Sequence, residues 1–190
     1  MSLSKSPELM RPADTALLVI DVQERLLAVL PDGARITWNI RRLLDGAKIL
    51  GVRTACTEQY PEKLGPTAPI LAERLTDKAV SKLTFSCGAC SEIFDAWQND
   101  GIHRVLVCGI ETHVCVQQTV LDLLAAGYQV LVAVDAVGTR HTIDHEISLR
   151  RMEASGALLT TTEAALFEWC SVAGTSEFKE MSKLAKEEME

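Results

Sequence analysis

Short, nearly continuous apolar runs alternate along the chain with longer stretches in which apolar residues recur at helical spacing. Nearly continuous apolar strands are typical of a parallel sheet that helices cover on both faces. The predicted strands are 16–21, 52–57, 78–82, 104–109, 129–135 and 157–161, of which 78–82 has the weakest pattern. The alternation predicts an α/β fold of three layers, with a central parallel sheet of about six strands and helices on both faces.

Apolar residues recur with the helical period over 36–50, 112–126 and 140–154. The first two of these stretches are followed by glycines, Gly51 and Gly127, which are suited to end a helix. With no internal repeat and no long linker, residues 1–190 are predicted to form one domain.

The C-terminal stretch 174–189 predicts a further amphipathic helix, with Phe178, Met181 and Leu184 on its apolar side. A helix with one apolar face must bury that face against another surface. We therefore expect this helix to lie at an interface with a neighbouring subunit.

Composition narrows the classes of partner. The net charge of −7 argues against nucleic acid or an acidic membrane surface as the main partner. The first residues show no signal-peptide pattern, and no run approaches the roughly 18 apolar residues of a membrane span. We therefore expect a cytoplasmic protein, in which the six cysteines are thiols rather than disulfides.

Candidate chemistry lies where predicted strands end, because open parallel sheets bind ligands beyond the carboxyl ends of their strands. Asp21 ends the first strand, Lys82 the third, and Cys115 lies in the turn that follows the fourth. Each has a simpler interpretation, since an aspartate can cap the next helix, a lysine is usually solvated, and a buried cysteine often only packs.

Cys115 would lie in the first turn of helix 112–126, where free backbone N–H groups and the helix dipole favour a thiolate. The same N–H groups can receive a developing oxyanion. Asp21, desolvated after five apolar residues, would suit the role of a general base. The three residues are thus candidates for nucleophilic catalysis by a thiol, and the simpler interpretation of each residue stays open at this point.

Three segments, "LLVIDVQERL" (17–26), "SKLTFSC" (81–87) and "GIETHVCVQQTVLDLLAAGYQVLVAVDAVGTR" (109–140), resemble the isochorismatase-like hydrolase family. The resemblance covers about residues 15–165 and implies a Rossmann-like fold. The segment "CTEQYPEKLGPT" (56–67) is most similar to the branch called isochorismatase domain-containing proteins.

The resemblance also implies roles for particular residues. Asp21 corresponds to the base, Lys82 to a lysine that orients charge, and Cys115 to the nucleophile of a catalytic triad. A cis peptide bond is implied between Ile110 and Glu111. The backbone N–H groups of Glu111 and Cys115 are then expected to form an oxyanion hole.

Departures from the family pattern bear on the substrate. Segment 57–65 contains no histidine, so the metal site of the family's nicotinamidases is expected to be absent, and no cofactor is predicted. A cysteine at position 115 favours cleavage of an amide or related C–N bond of a small molecule. A vinyl-ether hydrolase that uses Asp21 without the thiol, and a non-catalytic binding protein, remain as alternatives.

The substrate is expected to contact residues that follow the strand ends. The predicted pocket residues are Gln23, Glu58, Gln59, Tyr60, Phe85 and Thr112. As family members usually assemble, the resemblance also implies a homo-oligomer.

Other polar groups are given simpler interpretations. The pair Cys87 and Cys90 forms a C-x-x-C, but no second ligand pair lies nearby for zinc, and its position does not favour redox chemistry. His141 and His145 are expected to be partly exposed residues at a helix start. Asp135 competes with Asp21 as a base, and His113 is predicted to line the pocket wall.

Overall fold

The computed structural model describes residues 4–189, and their central sheet has six strands in the order β3-β2-β1-β4-β5-β6. All of the strand pairs are parallel, as the apolar runs predict. The strands are β1 (Thr15–Ile20), β2 (Arg53–Gln59), β3 (Val80–Lys82), β4 (Arg104–Ile110), β5 (Gln129–Gly138) and β6 (Leu158–Thr160). The weakest predicted strand is the short edge strand β3, which pairs with the end of β2.

Helices connect and cover these strands. They are α1 (Glu24–Leu27), α2 (Gly33–Leu50), α3 (Pro61–Leu64), α4 (Pro69–Ala72), α5 (Ser91–Asn99), α6 (Gln117–Ala125), α7 (Thr142–Ala154), α8 (Thr162–Cys170) and α9 (Ser176–Lys186). A 3₁₀ turn, Cys87–Ala89, precedes α5, and a π-helical turn, Thr112–Val116, leads directly into α6. The predicted helix 112–126 is therefore present, but its first turn is wider than an α-helix.

The helices form a layer on each face of the sheet, which confirms the three-layer prediction. Helices α2, α8 and α9 pack on one face, where Ile40 and Trp169 are among the buried residues. Helices α5, α6 and α7 pack on the other face, where Trp97, Val120 and Met152 are buried. Because successive side chains of a strand point to opposite faces, every apolar residue of β1 is buried in one layer or the other.

Among the helices of nine or more residues, α5 and α8 are not predicted by the apolar pattern. Helix α5 buries only Ile93 and Trp97, too few positions to establish a period in nine residues. Helix α8 is marked instead by its N-cap, since the Thr161 hydroxyl accepts a hydrogen bond from the Ala164 N–H.

The C-terminal helix is shorter than the predicted stretch and packs on the domain of its own chain. Met181 and Leu184 of α9 are buried against α2 and α8. The Arg42 guanidinium of α2 donates a hydrogen bond to the Leu184 carbonyl at 2.8 Å. The apolar side of α9 therefore completes the core of the subunit itself.

The direction of the chain reverses in the middle of the sheet. From β1 the chain moves outward to β2 and β3, then crosses back to β4 beside β1 and continues outward to β5 and β6. In open α/β sheets, ligands bind beyond the carboxyl ends of the strands at such a reversal. The carboxyl end of β1 leads directly to Asp21, and that of β4 to the turn that carries Cys115.

Candidate active site

The structure brings the three predicted residues into one buried cluster. Asp21 follows β1, Lys82 ends β3, and Cys115 lies in the π-helical turn after β4. Their exposed fractions are 0%, 5% and 6%, respectively. A carboxylate, an ammonium group and a thiol thus meet at the carboxyl edge of the sheet, shielded from water.

Asp21 is held by backbone and side-chain contacts with β2. Its backbone adopts φ = +54°, a left-handed conformation that is uncommon outside glycine. Its N–H donates to the Thr57 carbonyl at 3.1 Å, and its Oδ1 accepts the Thr57 hydroxyl at 2.8 Å. The capping alternative does not hold, because Gln23 is the N-cap residue of α1 and the Asp21 carboxylate points to Thr57 and Lys82.

Lys82 is a buried donor rather than a solvated surface lysine. Its Nζ lies 2.6 Å from Asp21 Oδ2 and 2.7 Å from Gln59 Oε1, and it also donates to the Phe85 carbonyl at 2.9 Å. Burial by itself would lower the pKa of Lys82, but the Asp21 carboxylate outweighs burial and raises that pKa above its usual value. The ammonium group therefore stays charged and neutralises Asp21.

Cys115 is a neutral thiol in this environment, which corrects the expectation of a thiolate stabilised by the helix start. Burial raises the pKa of Cys115, the negative charge of Asp21 raises it further, and Lys82 opposes these effects only in part. The Cys115 Sγ lies 4.0 Å from Gln59 Oε1, which can accept its proton. These effects favour the protonated thiol over the thiolate in the folded protein.

Gln23 and Gln59, both predicted to contact the substrate, are engaged by the chain itself. The Gln59 N–H donates to Gln23 Oε1 at 2.9 Å, and Gln23 Nε2 donates to the carbonyls of Gln59 and Gly65. Gln23 is fully buried. This amide pair fixes the end of β2, and with it the side chain of Gln59, beside Lys82.

The other predicted pocket residues fall into two groups. Tyr60 and Phe85 are exposed by 38% and 53%, respectively. Tyr60 directly follows Gln59, and Phe85 lies three residues after Lys82. Glu58 instead accepts hydrogen bonds from the N–H and hydroxyl of Thr67. Contact of these residues with a substrate stays a prediction.

The turn between β4 and Cys115 has the predicted cis peptide bond, Ile110–Glu111. The Glu111 carboxylate accepts hydrogen bonds from the Arg140 backbone N–H at 3.1 Å and Nε at 3.0 Å. The Thr112 hydroxyl, fully buried, lies 3.1 Å from His145 Nδ1. Side chains after β5 and on α7 thereby brace the turn, while the oxyanion hole formed by its N–H groups stays a prediction.

Two threonines outside the predicted site residues contribute to the site. The Thr57 hydroxyl orients Asp21, and the Thr119 hydroxyl donates to the Cys115 carbonyl at 2.7 Å while accepting the Cys87 N–H at 2.9 Å. The position of Thr57 near the carboxyl end of a buried strand is the sequence signal that could have placed it at the site. Nothing in the local sequence indicates that Thr119 joins two separate turns.

Both cysteines of the C-x-x-C are buried free thiols. The Cys87 Sγ lies 3.5 Å from the Thr57 hydroxyl, and burial raises the pKa of Cys87 to about 11. Cys90 precedes the first residue of α5, and burial raises its pKa too. Neither thiol is therefore activated in the way that redox chemistry requires.

The competing polar groups have structural roles. Asp135 Oδ1 accepts hydrogen bonds from the N–H and hydroxyl of Thr162, at the first turn of α8, so it anchors that helix. His141 is exposed before α7, and the pKa of His145 is lowered by burial and by Arg35. His113 lies 3.9 Å from Asp144 rather than beside the thiol network.

Two features typical of other protein classes are absent from the part of the chain that the structure describes. Over residues 4–189, no group of three or more histidine, cysteine or acidic side chains is arranged to hold a metal ion. Over the same residues, no helix combines the length and apolar character needed to cross a membrane.

Comparison with known proteins identifies the family. The model of the isochorismatase domain matches residues 15–164. Isochorismatase domain-containing protein 2 of Bos taurus is 40% identical over 177 residues, which cover 93% of this chain and 85% of the relative. The secreted isochorismatase effector Isc1 of Phytophthora sojae is 37% identical over 184 residues, which cover 94% of this chain and 87% of the relative.

A solved structure gives the same result for the fold. The MAR1 ribonuclease from Caenorhabditis elegans superimposes with a TM-score of 0.88 at 37% sequence identity, covering 96% of this chain and 94% of the other. Sequence, fold and the matched domain agree over nearly the whole length. The chain therefore belongs to the isochorismatase-like hydrolase family.

Proposed function

We propose that the protein hydrolyses an amide or related C–N bond of a small molecule, with Cys115 as nucleophile, Asp21 as base and Lys82 as the group that holds Asp21. The observation that carries this proposal is the buried 2.6 Å contact between Lys82 Nζ and Asp21 Oδ2, beside the Cys115 thiol. A buried aspartate paired with an ammonium group, beside a protonated thiol, is an arrangement suited to general-base activation of sulfur.

In the first half of the reaction, the Asp21 carboxylate takes the Cys115 proton as the sulfur attacks the carbonyl carbon. The N–H groups of Glu111 and Cys115 receive the oxyanion, and one such donor is worth about 3–4 kcal/mol in other enzymes. The C–N bond then breaks, and the protonated Asp21 delivers its proton to the departing nitrogen. An amine leaves, and the acyl group stays on sulfur as a thioester.

In the second half, water takes the place of the amine. Asp21, again a carboxylate, removes a proton from this water as its oxygen attacks the thioester. The C–S bond breaks, and the proton returns from Asp21 to the sulfur, which releases a carboxylic acid and restores the thiol. Lys82 donates to Asp21 Oδ2 at the start of both halves, so its charge offsets that of the carboxylate in each.

Features of the site favour a small, uncharged substrate. Lys82 is the charged group beside the thiol and Asp21, and its charge is already matched by Asp21. Two exposed aromatic residues contact Lys82 through their backbones: the Tyr60 N–H donates to the Lys82 carbonyl, and the Phe85 carbonyl accepts from the Lys82 ammonium group. A substrate carrying a strong charge would find no opposite charge free at this pair.

The ribonuclease named in the related solved structure raises RNA as another substrate. RNA binding usually depends on cationic side chains that neutralise phosphates. This chain has a net charge of −7, and the site lysine is buried and paired. We therefore place the small amide ahead of RNA, and we retain the homo-oligomer and the cytoplasm as predictions.

The test is a screen of small amides with the wild-type protein and with Cys115→Ser, Asp21→Asn and Cys170→Ser. Cys170 ends α8 in the opposite layer, so its variant controls for loss of a thiol as such. We expect turnover to disappear in the first two variants and to survive in the control. Intact-mass detection of an acyl adduct on Cys115 would identify the thioester, whereas full turnover by Cys115→Ser would favour the vinyl-ether alternative.

If no amide is turned over, short single-stranded RNA is assayed with the same set of variants. Cleavage that depends on Asp21 or Cys115 would replace the amide proposal. Failure of every substrate class, together with tight binding of a small molecule, would favour the non-catalytic alternative.

A further inference from the structure

Gln59 lies between the two groups that control the candidate nucleophile. Its Oε1 is 2.7 Å from Lys82 Nζ and 4.0 Å from Cys115 Sγ. A single amide oxygen therefore contacts both the ammonium group and the thiol. Sequence alone suggests only that Gln59 lines the pocket.

The orientation of the Gln59 amide is determined by its partners. An ammonium group only donates hydrogen bonds, so the atom facing Lys82 must be the amide oxygen. The amide nitrogen, at the other end, donates to the Leu83 carbonyl at 2.9 Å. A flipped amide would place N–H against ammonium and oxygen against a carbonyl, and both contacts would be repulsive.

The backbone of Gln59 is fixed as well. The Gln23 side chain accepts the Gln59 N–H at 2.9 Å and donates to the Gln59 carbonyl at 3.0 Å. Gln23 is fully buried, so this amide clamp does not compete with water. Gln59 is thus held at its backbone by one residue and at its side-chain nitrogen by another, which leaves the oxygen in a set position.

A fixed carbonyl oxygen interacts differently with the two forms of the sulfur. It accepts a hydrogen bond from the S–H of a neutral thiol, whereas it repels the negative charge of a thiolate. Both carboxylate oxygens of Asp21 already accept other donors, Thr57 at Oδ1 and Lys82 at Oδ2. The thiol also lies in hydrogen-bonding reach of Asp21, so the Gln59 oxygen is a second acceptor for the resting thiol, and one that carries no charge.

From these contacts we propose that Gln59 is a positioning residue, whose side-chain oxygen holds Cys115 as the protonated thiol until a substrate reaches the sulfur. The same oxygen accepts a hydrogen bond from the Lys82 ammonium group, which also donates to Asp21. The proposal deepens the proposed function, because a protonated sulfur needs the base only at the moment of attack. The catalytic role of Gln59 rests on the proposed function, whereas the test of the contact between Gln59 and Cys115 does not.

The test measures the alkylation rate of Cys115 with iodoacetamide at pH 9, followed by mass spectrometry of the peptide, and needs no substrate. Gln59→Met removes the oxygen while keeping the side-chain length. We expect it to speed alkylation about threefold to tenfold, the equivalent of one lost hydrogen bond to the thiol. Gln59→Glu keeps an oxygen but adds negative charge, and we expect it to slow alkylation by about threefold or more.

Gln118→Met serves as the matched control, because Gln118 is exposed just after the same π-helical turn. We expect its alkylation rate to equal that of the wild type. Thermal unfolding of each variant shows whether it is folded. If Gln59→Met does not fold, Gln59→Glu still tests the proposal, because it keeps an acceptor for Lys82.

Unchanged rates in a folded Gln59 variant, or the same direction of change in both, would overturn the proposal. The proposed function fails by a different result, namely turnover by Cys115→Ser. The two failures are therefore distinguishable.

Discussion

Lys82 Nζ lies 2.6 Å from Asp21 Oδ2, and the side chains of both residues are almost completely removed from water. A buried ion pair of this kind is stabilised by mutual attraction and by further hydrogen bonds, here from Thr57 to Asp21 and from Lys82 to Gln59. Removing one partner leaves the other charge buried without compensation. Removing both leaves no charge behind.

This difference predicts the stability of variants at the pair. We expect Lys82→Met to lower the free energy of unfolding by about 3–5 kcal/mol, because Asp21 is left as an unpaired buried carboxylate. The double variant Lys82→Met with Asp21→Asn should recover a large part of that loss. Urea denaturation at neutral pH measures both, and a double variant less stable than Lys82→Met would contradict the prediction.

Alkylation of Cys115 is predicted to respond to the charge of Asp21. Burial first, and then the Asp21 carboxylate, raise the pKa of Cys115, so removing that carboxylate lowers the pKa and increases the thiolate fraction at a given pH. We expect Asp21→Asn to speed alkylation at pH 8 by about tenfold or more. Mass spectrometry follows Cys115, with the half-buried Cys170 as the internal reference.

In the wild type, Cys115 should react more slowly than Cys170 at pH 8. The same Asp21→Asn protein should be inactive in turnover even though its thiol is more reactive. Slower alkylation in this variant would mean that the charge of Asp21 does not act on the sulfur in the resting state.

Thr57 is predicted to matter through its hydroxyl. The hydroxyl donates to Asp21 Oδ1 at 2.8 Å in a fully buried position, so Thr57→Val leaves a charged oxygen without a donor. We expect a loss of about 1.5–3 kcal/mol in the free energy of unfolding, and a lower kcat on any substrate found. Thr57→Ser keeps the hydroxyl and should retain most of the activity; equal activity of the two variants would count against an orienting role.

Much of the fold is predictable from the sequence because its signals are local. Buried parallel strands such as β1 and β4 are nearly continuous apolar runs, and their order along the chain places polar residues at one edge. For that reason Asp21, Lys82 and Cys115 are predicted to lie along one edge of the sheet, and the resemblance to the isochorismatase-like hydrolases is what singles out these three from the other polar residues there. Helix α5 escapes this kind of prediction because only Ile93 and Trp97 mark its buried side.

The protonation states of the side chains in the site are not predictable in the same way. A cysteine near a helix start suggests a lowered pKa, but burial and the Asp21 charge reverse the direction for Cys115. Contacts between distant residues are also hidden, such as the clamp in which Gln23 holds the backbone of Gln59. Such effects depend on distances in the folded chain, and these distances cannot be derived from residue types and their spacing.

Asp135 is predicted to affect stability without affecting catalysis. Its Oδ1 accepts the N–H and hydroxyl of Thr162, so Asp135→Ala should release the first turn of α8 and cost about 1–2 kcal/mol, as for the loss of a helix cap. Turnover per folded molecule should stay at the wild-type level, in contrast to Asp21→Asn. Chemical denaturation and a steady-state assay on the same preparation measure the two effects, and loss of turnover in folded protein would restore Asp135 as a candidate base.

Gly109 is predicted to be irreplaceable at the junction of β1 and β4. It adopts φ = +121°, and a Cβ there would lie 2.2 Å from the Ile20 carbonyl oxygen, immediately before Asp21. Gly109→Ala must therefore push β1 away from β4, and we expect a loss of more than about 3 kcal/mol in the free energy of unfolding together with loss of turnover.

Gly127→Ala is the matched control for that variant. Gly127 also has positive φ, +88°, but nothing lies within 4 Å of an added Cβ. It should show the backbone cost alone, about 1 kcal/mol, and keep full turnover, because it lies after α6 and away from the site. Denaturant titration of the two variants separates the cost of the collision with Ile20 from the backbone cost. Equal losses in the free energy of unfolding would contradict the prediction, because they would show that β1 and β4 accommodate the added Cβ.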